Sequence, residues 1–214
     1  MGRRALPSPD RTLDLSGYLK TFDDLPCPWD VAELFTGGGS LEIEVGSGKG
    51  LFMQRAAEQF PDRNFLGIEI ARKYARFSAA RLAKRKLDNA MMGSGDALRI
   101  FRELLPNEAC SAVHIYFPDP WWKKRHEKRL VLTSSLLDTL TRLLIPGGEL
   151  FVQTDVAERG DQYQAVLDDH AAFEPVAGGP RSADHEFIAR SPRERKAIEY
   201  ELPIVRLLYR NKKS

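Results

Sequence analysis

From residue 40 onwards, short apolar runs alternate with longer segments of helical periodicity, and this alternation confines the chain to a parallel sheet covered by helices. The apolar runs fall at 40–45, 64–70, 90–95, 112–117 and 149–154. Helical patterns follow them over 51–60, 71–87, 97–105, 133–144 and 157–169. A strand that returns through a helix to a neighbouring strand must run parallel to it, so the helices cover both faces. After Ala172 the pattern changes. Runs at 173–176 and 204–209 read as two late antiparallel strands, giving an α/β sheet of seven mostly parallel strands.

The strands share a second property. Glu44, Glu69, Asp96, Asp119 and Asp155 stand at the C-terminal ends of the first five. In a doubly wound sheet those ends form one crevice, so the carboxylates converge there. Between the first strand and first helix lies Gly46-Ser47-Gly48-Lys49-Gly50. Glycines at this point let the backbone turn sharply and approach a ligand. No Gly-Lys-Ser/Thr sequence ends the loop, which disfavours a nucleotide triphosphatase. Glu44 repels a pyrophosphate, and suits a ligand with a cationic amino-acid end, such as S-adenosylmethionine. Glu69 lies 25 residues later, as an acceptor for ribose hydroxyls or as a helix N-terminal acid. Asp96 lies at a strand end and caps the next helix, and capping alone would explain it.

The fourth strand runs into Phe117-Pro118-Asp119-Pro120-Trp121-Trp122, then Lys123, Lys124, Arg125, His126, Glu127, Lys128 and Arg129. Proline continues neither a central strand nor a helix, so the chain must turn at Asp119. An acid beside aromatic surface and positive charge fits a nucleobase carried on a phosphate backbone. The segment 71–87 adds seven Lys and Arg without an acid, a phosphate-contacting surface or an unusually uniform solvated face. Net charge is only +2, so a polyanion must be met by such local patches.

Other classes are disfavoured. Cys27 and Cys110 are the only cysteines, and the four histidines lack ligand spacing, so no metal is expected. His114 alternates within a strand, as a core or supporting residue. No apolar run approaches the ~20 residues of a membrane span, and no signal core follows Met1. A cytoplasmic protein is expected. Residues 1–39, with Pro7, Pro9, Pro26, Pro28 and Gly37-Gly38-Gly39, read as an irregular arm with one short helix at 29–35. Residues 40–214 form the main domain.

These segments resemble the bacterial tRNA (guanine-N7)-methyltransferases from about Leu41 to Tyr209. The most specific match is Phe117-Pro118-Asp119-Pro120-Trp121 with the cations after it. Glu44 to Gly50, Gly67-Ile68-Glu69, Gly95-Asp96-Ala97 and Thr154-Asp155 also match. The resemblance implies a Rossmann-like class I methyltransferase that methylates N7 of a guanosine in the tRNA variable loop. It implies S-adenosylmethionine on Glu44, Gly46, Gly48, Glu69, Asp96 and Asp119, with Asp119 also at the reaction centre. It places Lys123 and Asp155 on the tRNA, in a monomer or homodimer. Near the C-terminus the family carries Thr-Lys-x-Glu. Here Ser191-Pro192-Arg193-Glu194 aligns with it, keeping the hydroxyl and acid as substrate contacts and replacing a lysine by Pro192. Two other readings stay open: a class I methyltransferase for another RNA, a protein or a small molecule, and a non-catalytic RNA-binding partner that retains the fold.

Overall fold

β2 (Leu41–Val45) and β3 (Asn64–Glu69) are almost wholly buried, as strands of a two-sided parallel sheet must be. The computed structural model describes residues 10, 12–24, 28–29, 33–35, 37–118, 132–177 and 191–213. The other strands are β1 (Leu19–Thr21), β4 (Ala90–Ser94), β5 (Cys110–Tyr116), β6 (Leu144–Thr154), β7 (Phe173–Pro175) and β8 (Val205–Asn211). The helices are α1 (Leu51–Gln59), α2 (Arg72–Arg85), α3 (Ala97–Glu103), α4 (Ser134–Leu143), α5 (Ala157–Asp168) and α6 (Pro192–Glu199).

The strands form one sheet in the order β1-β4-β3-β2-β5-β6-β8-β7. The six strands from β1 to β6 pair in parallel, and β8 runs antiparallel between β6 and β7. The chain builds outward from β2 through β3 and β4, then returns to lay β5 on the other side of β2. The C-terminal ends of β2 and β5 therefore border the crevice where the strand order reverses, the binding position of such sheets.

Each face of the sheet has its own core. Ile43, Leu66, Ile68, Val113, Ile115, Leu150 and Val152 pack with Ile100 and Phe101 of α3, Leu137 and Leu140 of α4, and Leu167 of α5. On the opposite face Phe65, Met92, Ala112, Tyr116 and Phe151 pack with Phe52, Met53 and Ala56 of α1 and Ala79 and Leu82 of α2. α4 shows how directly the sequence builds an element: Thr133 accepts the Leu136 amide as N-cap at 3.2 Å, and Leu136, Leu137, Leu140 and Leu143 face inward.

Three expectations change. The sheet has eight strands, not seven, because the irregular arm supplies β1, which pairs with β4 along the edge. Three residues between turns carry too little alternation to stand out. The long polar connection from 178 to 199 contains α6, opened by Ser191 as N-cap and Pro192 in the first turn. β6 begins at Leu144 and so includes Pro146-Gly147-Gly148, with a register shift against β5 between Cys110 and Ala112. The short helix expected over 29–35 falls partly outside the described residues. Trp29 itself is buried, and its amide donates to the Leu104 carbonyl at 2.8 Å.

Candidate active site

The loop after β2 has the geometry its glycines permit. Gly46, Gly48 and Gly50 have φ of 78°, 53° and 66°, in the left-handed region. A Cβ on Gly50 would lie 1.7 Å from Ser78 Oγ, so this glycine lets the loop press against α2. A Cβ on Gly46 would meet nothing within 4 Å. The loop is thus packed on its α2 side and open above Gly46.

Two glutamates on β2 point to the same face, and their surroundings separate their roles. Glu42 Oε2 accepts from His114 Nε2 at 2.8 Å, and Glu42 Oε1 accepts from Arg63 Nη1 at 2.9 Å. His114 Nδ1 lies 2.7 Å from the Tyr116 hydroxyl. A neutral imidazole meets both contacts with hydrogen on Nε2 and the Tyr116 O–H donating to Nδ1. His114 is buried between the Phe52 and Phe151 rings, at 4.7 and 4.8 Å between centroids. It is a core residue of a closed polar network.

Glu44, one pleat further towards the crevice, is equally buried at 4% exposure, and its Oε2 has no hydrogen-bond partner. Burial pushes its carboxyl up to about 8; the Glu69 carboxylate adds to the rise and the Ser47 hydroxyl opposes it. An unsatisfied buried carboxylate is costly. A ligand that brings a cationic donor into the loop would satisfy it.

Glu69 is held by backbone amides. Gly48 N donates to one oxygen at 2.9 Å and Ala71 N to the other at 2.8 Å. The side chain thereby ties the glycine loop to the start of α2. Each carboxylate oxygen keeps a second lone pair for ribose hydroxyls. Asp96 caps α3, accepting from Arg99 N at 3.2 Å, and remains exposed at the end of β4. The structure therefore brings Glu44, Gly46, Gly48, Glu69 and Asp96 to adjacent strand ends.

On the other side of the crevice, β5 is followed by Phe117, a buried non-glycine residue at φ 47°. Such backbone is uncommon for a bulky side chain, and strained residues of this kind gather at functional turns. The Phe117 amide donates to the Gln153 carbonyl at 2.8 Å, anchoring the strand end to β6. Asp119 and Lys123, which follow in sequence, lie outside the described residues.

Asp155, just after β6, forms an ion pair with Arg193 of α6 through Oδ2 and Nε at 2.7 Å. Ser191 Oγ accepts the Glu194 amide at 3.0 Å, and the buried Glu194 accepts from Arg206 Nη2 of β8 at 3.1 Å. Ser191 and Glu194 thus fix the first turn of α6 beside Asp155.

Sequence reasoning missed three residues. Ile70, directly after Glu69, is 72% exposed at the crevice rim; its signal was an apolar residue at the last position of a strand. Arg193 is joined to Asp155 across 38 residues of sequence, which no local pattern reveals. Gln153, buried with its Oε1 unpartnered, carried no signal beyond its place in the run 149–154. Among the described residues no group of three or more metal-ligating side chains occurs, and no helix is long and apolar enough to cross a membrane.

A family model described as "Putative methyltransferase" matches residues 39–207. A tRNA (guanine-N(7)-)-methyltransferase of Rhodopirellula baltica is 41% identical over 222 residues, covering 99% of this chain and 81% of the relative. Another of the same name, from Myxococcus xanthus, is 32% identical and covers 95% of each chain. Among solved structures, the 16S rRNA methyltransferase KamB superposes with a TM-score of 0.60 over 85% of this chain and 92% of that one. At 15% identity this likeness concerns the fold.

Proposed function

Since the chain belongs to the family of the tRNA (guanine-N(7)-)-methyltransferases, we propose that it transfers a methyl group from S-adenosylmethionine to N7 of a guanosine in tRNA. The single observation that carries the cofactor assignment is the buried, unpartnered Oε2 of Glu44 beneath the open backbone of Gly46. That pair fits the cationic amino-acid end of S-adenosylmethionine. Glu44, Gly46 and Gly48 would hold this end, Glu69 the ribose hydroxyls, and Asp96 with Ile70 the adenine side. The bound cofactor supplies an electrophilic methyl group on a sulfonium.

The guanine N7 lone pair is free at neutral pH, so no strong general base is required. The protein's main task is to align the base with the methyl group. Positive charge develops on the guanine as N7 is alkylated. Carboxylates that accept from its N1–H and 2-amino group favour that state. Asp119 and Asp155 are assigned to the reaction centre and base, with Lys123, Ser191 and Glu194 completing the substrate side. A base in folded RNA must be unstacked to reach a strand-end crevice.

The cationic face of α2 favours RNA over a small molecule. Arg72, Lys73 and Arg76 are exposed on its first turns, beside Glu69 and Ile70. Residues 1–39 are taken as an N-terminal arm that contributes β1 to the sheet of the domain formed by 40–214.

The test is incubation with unmodified tRNA transcript and methyl-labelled S-adenosylmethionine at low salt, with Asp119→Ala as control. Borohydride and aniline then cleave the RNA at N7-methylguanosine. The reading requires label at one guanosine that disappears in the variant. Cofactor binding without labelled RNA would refute the substrate assignment.

A further inference from the structure

We propose that Arg193 is a positioning residue for guanine recognition, presenting one oxygen of Asp155 to the N1–H and 2-amino group of the target base. The inference rests on the methyltransferase reading above. Its starting point is that the two carboxylate oxygens of Asp155 are unlike. Oδ2 accepts from Arg193 Nε at 2.7 Å, whereas Oδ1 is buried without a hydrogen-bond partner. Among the described residues nothing satisfies Oδ1, which leaves it as an acceptor for a donor from outside them. Guanine offers two adjacent N–H donors on its Watson–Crick edge, whereas adenine places an acceptor at N1. A carboxylate oxygen fixed on that edge selects guanine.

The fixing depends on Arg193, and Arg193 is itself held. Ser191 caps α6, and Glu194, one residue after Arg193, is buried and paired with Arg206 of β8. β8 lies beside β6, with Arg206 opposite Gln153. The first turn of α6, which carries Arg193, is therefore braced through Glu194 on β8, the strand adjacent to β6. The Nε–H is fixed in the guanidinium plane, so it holds Oδ2 from a defined direction, as a rotating lysine ammonium does not. Arg193 acts through Asp155, and the base edge is met by the carboxylate.

The experiment uses the full chain and two tRNA transcripts, one with guanosine and one with inosine at the methylated position. Inosine keeps N7 and N1–H but lacks the 2-amino group. The unaltered protein is expected to favour guanosine by about tenfold in kcat/KM. Arg193→Ala is expected to lose about 10- to 100-fold on guanosine, mostly in kcat, and to bring the two substrates within about twofold. Affinity for S-adenosylmethionine should stay unchanged. Arg193→Lys should recover part of the rate and little of the discrimination. An active Arg193→Ala or Arg193→Lys enzyme with the original guanosine-to-inosine ratio would overturn the role of Arg193. If Arg193→Ala fails to fold, Arg193→Lys decides by the same ratio. Absence of N7 methylation by the unaltered protein would refute the underlying reading instead.

Discussion

Replacing Glu44 by Gln should stabilise the cofactor-free protein at alkaline pH while abolishing its purpose. In the folded state burial raises the Glu44 carboxyl from 4.5 to about 8. The folded protein thus holds a proton between these values that the unfolded chain has released. Unfolding free energy then falls as pH rises, by up to about 1.4 kcal/mol per pH unit for this group. Across the whole window the loss approaches about 5 kcal/mol. It is absent below pH 4.5 and complete above pH 8. Glutamine mimics the protonated carboxyl at every pH. The variant should match the parent near pH 5 and exceed it near pH 8.5 by about 3–5 kcal/mol, or roughly 6–20 °C in Tm for a chain of this size.

Urea unfolding of both proteins at pH 5, 6, 7, 8 and 9, without cofactor, measures the difference. Stability curves that stay parallel over this range would show that Glu44 titrates normally and that its orphan oxygen is solvated. The same group makes a calorimetric prediction. At pH 7 a carboxyl with pKa about 8 is mostly protonated, and a cationic ligand drives it to ionise. Binding of S-adenosylmethionine should release close to one proton, read from the dependence of the heat on buffer ionisation. Glu44→Gln should release none from this site and bind far more weakly.

Glu69→Ala frees the amides of Gly48 and Ala71 that it now holds, and should weaken cofactor binding at least tenfold by titration calorimetry. Gly50→Ala places a Cβ 1.7 Å from Ser78 Oγ at φ 66°, and should cost about 2–4 kcal/mol in urea unfolding. Ser78→Gly should recover the steric part alone. Glu42→Ala leaves the buried His114 and the half-buried Arg63 without their carboxylate, a loss of about 3–5 kcal/mol by the same measurement. Lys73→Glu with Arg76→Glu should raise KM for tRNA and flatten its dependence on salt by about one unit of log–log slope per lost phosphate contact. Cofactor affinity should be unaffected.

The parallel core of the fold was legible because its signals are local. Alternation of strands and helices, a glycine run after the first strand and acids at strand ends each sit within a few residues. Their positions predict the crevice without any knowledge of contacts. β1 and α6 were not legible for opposite reasons. β1 is three residues whose only distinction is the edge of β4 to which it pairs. α6 is polar along its length, with Glu194 and Ala197 as its buried residues, so it shows little apolar periodicity, and its place depends on Arg193 and Glu194 finding Asp155 and Arg206. The same division runs through the site. Glu44 and Glu69 could be named from sequence, yet the contrast between a satisfied Glu42 and an unsatisfied Glu44 exists only once β5 brings His114 alongside. Both acids occupy alternate positions of one strand, and only the place of Glu44 at the strand end beside the glycines singles it out in the sequence.

That contrast also explains where the molecule tolerates cost. Among the described residues five buried side-chain polar atoms lack a partner, and three of them belong to Glu44, Gln153 and Asp155, at the C-terminal ends of β2 and β6. The left-handed Phe117 stands between them just after β5, bonded to the Gln153 carbonyl. A folded core ordinarily removes such features, as it does a few ångströms away where Glu42, His114, Tyr116 and Arg63 satisfy one another. The same sheet face thus carries both a closed polar network and an open one. Stability alone would close both, since pairing Glu44 would recover several kcal/mol. The open network lies at the strand-order reversal, where a ligand can complete it from outside. If the proposed function holds, the cost of leaving Glu44 and Asp155 unsatisfied in the free protein becomes binding free energy when donors from cofactor and base arrive.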